Sequence, residues 1–70
     1  MDKSVQKIFG ANLRRYRKIC KLTQQRLAEQ AGIDYKYIQR MEGKSPTAVR
    51  IDTLARLAKA LRIRPYKLLQ

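Results

Sequence analysis

The chain has no histidine and no tryptophan, a single cysteine and a single phenylalanine, and only five acidic residues among 70. Each shortage excludes something. Without histidine, and with Cys20 alone, no Cys/His zinc site and no internal disulfide can form. Cys20 has no histidine base to activate it and is expected to be a packed residue. The acids Asp2, Glu29, Asp34, Glu42 and Asp52 are scattered, and no glycine-rich phosphate loop occurs, so neither enzyme activity nor a metal or other cofactor is expected. No run of about 18 apolar residues is present to span a membrane. The start, MDKSVQKIFG, lacks the apolar segment of a secretory signal. A lone thiol fits a reducing, cytoplasmic setting.

What is present is positive charge. Seventeen Lys and Arg against five acids leave a net +12. Self-repulsion of that size disfavours a compact state, so a polyanionic partner is the natural use for it. Seventy residues allow one small domain, 1–70, with little core to spare.

Apolar residues recur with a helical period, and no sustained two-residue alternation exists, so the fold class is all-α. The spacing predicts a first helix from about Ser4, its N-cap, to Cys20. Val5, Ile8, Phe9, Leu13, Tyr16, Ile19 and Cys20 share an arc of about 140° at about 100° per residue. Arg14, Arg15 and Lys18 lie off that arc, Arg17 lies on its edge, and Asn12 lies inside it without an evident reason. Thr23 is the N-cap of a second helix, QQRLAEQA, and Gly32 ends it. Asp34 caps a third, YKYIQRME. The segment GKSPTAVR is a loop. A fourth helix, IDTLARLAKAL, should turn Ile51, Leu54, Leu57, Ala58 and Leu61 inward. A last helix opens at Pro65 and carries Leu68 and Leu69.

The third helix has two faces. Tyr35, Lys36, Gln39 and Arg40 share one, because 39 and 40 lie one turn beyond 35 and 36. Tyr37, Ile38 and Met41 share the other, and Ile38 and Met41 should anchor it to the core. Two short helices joined through a glycine turn, the second with a polar outer face, make a helix-turn-helix pattern.

The stretches FGANLRRYRK, LTQQRLAEQAGIDYKYIQRMEGK and IDTLARLAKALRI resemble the phage-repressor/Cro-type helix-turn-helix family, the XRE-like regulators, over residues 8–69. The resemblance implies a five-helix, lambda-repressor-like domain that binds double-stranded operator DNA as a homodimer, in a bacterial or phage setting. It implies that the third helix enters the major groove while the second crosses the backbone. By position, Tyr35, Lys36 and Arg40, with Gln39 beside them, would read bases. Thr23, Gln24, Lys44, Ser45, Thr47 and Arg50 would follow the DNA backbone. Arg17 and Glu42 match an internal ion pair of the family. Ile63, Pro65, Tyr66 and Leu69 are the expected dimer surface.

The chain departs from the family pattern at three places. Lys21 stands where glycine is usual, the 43–52 connection is one residue longer, and Arg64 replaces the usual cap of the last helix. With nothing beyond that helix, no small-molecule sensing is expected. A sequence-specific regulator, most often a repressor, is the favoured function. The alternatives are an antitoxin or other protein-interaction subunit of the same fold, paired with a toxin or a larger regulator, and a basic nucleic-acid binder with little sequence preference.

Overall fold

A computed structural model of the chain describes residues 3–44 and 48–70. They form four α-helices and one 3-10 helix: α1 Lys3–Ile19, α2 Gln24–Ala31, α3 Tyr35–Met41, α4 Ile51–Leu61, and a 3-10 helix Pro65–Leu69. The expected count of five α-helices is therefore corrected to four. Pro65 does open the last element. Its five residues close instead through tighter bonds such as Lys67 N–H to the Arg64 carbonyl, 3.0 Å, the form usual for such short pieces.

The helix boundaries have local causes. The Thr23 hydroxyl accepts the Arg26 N–H at 3.0 Å, and the Asp34 carboxylate accepts the Lys36 N–H at 2.8 Å. These are side-chain caps on otherwise orphaned donors. Gly32 ends α2 at φ 67°, and Lys21 and Arg62 adopt φ 58° after α1 and α4. Lys21 thus takes the left-handed conformation for which glycine is preferred. Ser4 falls inside the first turn of α1 rather than capping it.

One core joins all the elements. Phe9 and Leu13 come from α1, Leu27, Ala28 and Ala31 from α2, Ile38 and Met41 from α3, Leu54, Leu57, Ala58 and Leu61 from α4, and Leu68 from the 3-10 helix. α2 packs on α3 and α4, and the 3-10 helix packs on α1 and α4.

Several residues expected inside are not. Ile19 is 62% exposed and Cys20 is exposed, its thiol donating only a long 3.6 Å contact to the Leu61 carbonyl. Ile8, on the same arc of α1, is 39% exposed. Ile51, the first residue of α4, is 85% exposed. Ile38 and Met41 anchor α3 as expected, while Tyr37 on the same face is half exposed, on the rim of a groove with Ile33 and Val49.

Asn12, by contrast, is buried within the apolar arc. Its Nδ2 donates to the carbonyls of Leu68 and Gln70, each at 3.1 Å. One amide thus satisfies two carbonyls at the end of the 3-10 helix and ties that end to α1.

Candidate nucleic-acid interface

α3 is short, and only Ile38 and Met41 of its seven residues are buried. About two turns of helix are too few to persist unaided. Asp34 caps its start. Its end is held by Glu42, whose Oε2 accepts Arg17 Nε at 2.8 Å and whose Oε1 accepts Arg17 Nη2 at 2.9 Å and Gln24 Nε2 at 3.2 Å. Arg17 Nη1 also donates to the Leu22 carbonyl at 2.8 Å. α1, the first residue of α2 and the end of α3 therefore meet at one carboxylate, and the connection after α1 is tied in through the Arg17 guanidinium. The Arg17 and Glu42 side chains are 12% and 2% exposed. The hydrogen bonds to Glu42, and then its charge, hold the Arg17 guanidinium above its ordinary pKa against the opposing effect of burial. Arg17 thus stays charged across the working pH range. The forked geometry, with two parallel N–H to oxygen bonds, fixes orientation as well as attraction.

Glycine makes a second contact between α1 and α3 possible. Gly10 lies against the carbonyl of Met41, so close that a Cβ there could not fit. Neither this approach nor the Asn12 latch was read from the sequence. An asparagine in the middle of an apolar arc was the available signal for the latch. Gly10 carried none, because a helical glycine reveals a close approach only once its neighbour is known.

The outward face of α3 carries Tyr35, Lys36, Gln39 and Arg40, all exposed. Gln39 Nε2 donates to the Tyr35 hydroxyl at 3.2 Å, which orders two of the four relative to each other. Lys36 and Arg40 form no ion pair with another described residue. Across the connection, Thr23 and the first N–H groups of α2 sit at an exposed helix start. Gln24 is half buried, one amide hydrogen committed to Glu42. Lys44 is exposed. Arg50 is exposed and reaches Asp52 at 3.4 Å. Ser45 and Thr47 lie outside the described residues. Of the expected dimer residues, Pro65 and Tyr66 are exposed, whereas Ile63 and Leu69 are partly buried against the core.

Among the described residues, no three His, Cys, Asp or Glu side chains gather in a way that could hold a metal. No helix among them is long and apolar enough to cross a membrane.

The arrangement is similar to known proteins. It superposes on the restriction-modification controller protein C.AhdI from Aeromonas hydrophila with a TM-score of 0.83, at 33% identity over 90% of this chain and 94% of that one. It superposes on the hypothetical transcription factor NHTF from Neisseria with a TM-score of 0.87, at 28% identity over 97% of this chain and 76% of that one. No curated protein matches the sequence. A helix-turn-helix family model matches residues 13–68, a span that takes in the Arg17–Gln24–Glu42 junction, both caps and the whole exposed face of α3. With its fold, its two short capped helices and that match in agreement, the chain belongs to the XRE-type helix-turn-helix family of DNA-binding transcription regulators.

Proposed function

We propose that the chain is a sequence-specific repressor that binds a symmetric operator as a homodimer and reads the major groove with α3. The observation that carries this reading is the outer face of α3, where four exposed side chains able to donate hydrogen bonds stand on a helix braced at both ends. An α-helix is about 10–12 Å across with its side chains, and a major groove about 12 Å wide admits it. Lys36 and Arg40 suit guanine O6 and N7, and the Gln39 amide suits adenine N6 and N7. Tyr35, ordered by Gln39, supplies a hydroxyl donor and a ring edge for a thymine methyl. Thr23, Gln24 and the start of α2 would meet the backbone on one side of the groove, and Lys44, Ser45, Thr47 and Arg50 would meet it on the other. Gln24 keeps its second amide hydrogen for a phosphate. The Glu42 junction would set the angle between the two helices, so the bases meet a preformed surface.

The dimer would place two α3 helices about 34–36 Å apart, one turn of DNA. Pro65 and Tyr66, with the outer edges of Ile63 and Leu69, would form the contact. The likeness to a controller protein over nearly the full length of both chains supports a transcription regulator. A domain seated in the groove over a promoter blocks polymerase, which is the basis for repression.

The test is selection from a randomised duplex library at about 150 mM salt, low enough for binding yet high enough to suppress non-specific attachment. A Tyr35→Ala/Lys36→Ala/Arg40→Ala variant is run in parallel. An enriched two-fold symmetric motif, lost in the variant, is the expected result. No enrichment, with wild type and variant binding alike, would show that net charge alone does the binding. A reporter placed behind the selected site then reads the sign of regulation.

A further inference from the structure

α1 is the most positively charged element of the chain. Its 17 residues, KSVQKIFGANLRRYRKI, carry six cations and no acid. Arg17 is consumed by Glu42. Lys7, Arg14 and Lys18 follow one another along a single face at spacings of seven and four residues, a row about 16 Å long at the α-helical rise. That face does not look onto open solvent alone. It forms one wall of a cleft of about 400 Å³ between α1 and the end of α3, whose other wall includes Glu42, Gly43 and Lys44. Arg15 reaches the same cleft, its guanidinium 5.5 Å from the centre of the Tyr16 ring.

Five cations therefore surround the cleft, and the charge on its single acid is already answered. The Glu42 side chain is 2% exposed, and both of its oxygens accept bonds from Arg17, one of them also from Gln24. Lys7, Arg14, Lys18 and Lys44 form no ion pair with another described residue. Like charges gathered around a concave surface repel one another and focus the field there, a cost that an anion would relieve. Gly10, seated on the Met41 carbonyl, lines the cleft together with Met41 and joins α1 there to the recognition helix.

We infer that the cleft between α1 and the end of α3 is a second phosphate-binding site, taking the sugar–phosphate backbone of the duplex beyond the bases that α3 reads. The inference rests on the proposed seating of α3 in the major groove, because the far wall of the cleft is the chain leaving that helix. A duplex lying on α3 presents a flanking strand there, and the row of three cations runs the length of several successive phosphates. α1 is then a contributor to affinity that carries no base preference.

The experiment is an anisotropy titration of a duplex bearing the selected motif with flanking base pairs, repeated on a scrambled duplex, over a range of salt. Arg14→Gln/Lys18→Gln removes two charges from the cleft and keeps good helix formers at exposed positions. Lys59→Gln/Arg62→Gln removes the same charge outside it. The cleft pair is expected to weaken binding to both duplexes by the same factor and to lower the slope of log K against log salt by about 1.8, two contacts at ~0.9 each. The outside pair should stay near wild type, and the selected motif should be unchanged in both. Wild-type affinity and slope in the cleft pair, or equal losses in the two pairs, would overturn the inference. So would a loss confined to the motif duplex, which would make Arg14 or Lys18 a base reader. Failure of the wild-type protein to select any motif would instead count against base reading by α3. The comparison of the two pairs on scrambled duplex would still report on the cleft.

Discussion

α3 and α4 are held in place by different means. α4 has 11 residues and buries four of them, Leu54, Leu57, Ala58 and Leu61, with no side chain capping its start. α3 has seven and buries two, but its start is capped by Asp34 and the residue after it is clamped by Arg17 and Gln24. One helix is fixed by apolar area along its side and the other largely by polar groups at its ends. A helix clamped at its ends needs less buried area along its side to keep its place, and α3 buries two residues where α4 buries four.

Substitutions at the two helices can break or sharpen that contrast. The largest effect is expected at the clamp. Glu42→Ala leaves the mostly buried Arg17 charge unpaired and should cost ~3–5 kcal/mol, read as a fall in the denaturation midpoint. An unchanged midpoint would mean that α3 does not depend on its ends. In α4, Leu57→Ala empties a fully buried position and should cost ~2–5 kcal/mol in the same measurement. It should leave the motif selected by the folded fraction unaltered. Asn12→Ala strips two carbonyls of their donor at the end of the 3-10 helix, for a loss of ~1–3 kcal/mol. Amide exchange would show the residues after Pro65 opening first. Lys36→Ala should change stability by less than about 0.5 kcal/mol while relaxing base preference at one position by ~1–3 kcal/mol. Comparable losses on every sequence would instead place Lys36 on a phosphate. The smallest effect runs the other way. Lys21→Gly relieves a left-handed backbone, against the extra freedom glycine has when unfolded, and should raise stability by at most about 1 kcal/mol.

Much of the helix-turn-helix was readable beforehand, because its signals are local. Thr23, Gly32 and Asp34 act on hydrogen bonds within three or four residues of themselves, so the limits of α2 and the start of α3 follow from neighbouring letters. The outward face of α3 follows from helical period alone. The misreadings at Ile19, Cys20 and Ile51 share one origin. Period tells which residues share a face, but only the neighbouring elements decide how far along the helix that face is covered. Pro65 marks the start of the last element, while its end is tied to α1 by Asn12, more than 50 positions away in the sequence.

The sequence by itself determined the all-α class, the chain positions of the helices and the excess of positive charge, since these depend on composition, period and caps within a turn. Tertiary structure decided the rest. It brought Arg17, Gln24 and Glu42 to one point, seated Gly10 under the Met41 carbonyl, and folded the cationic face of α1 against the end of α3 to make a cleft. Each of these joins residues far apart in the chain. Contacts at that distance are set by how helices cross, which no single helix encodes.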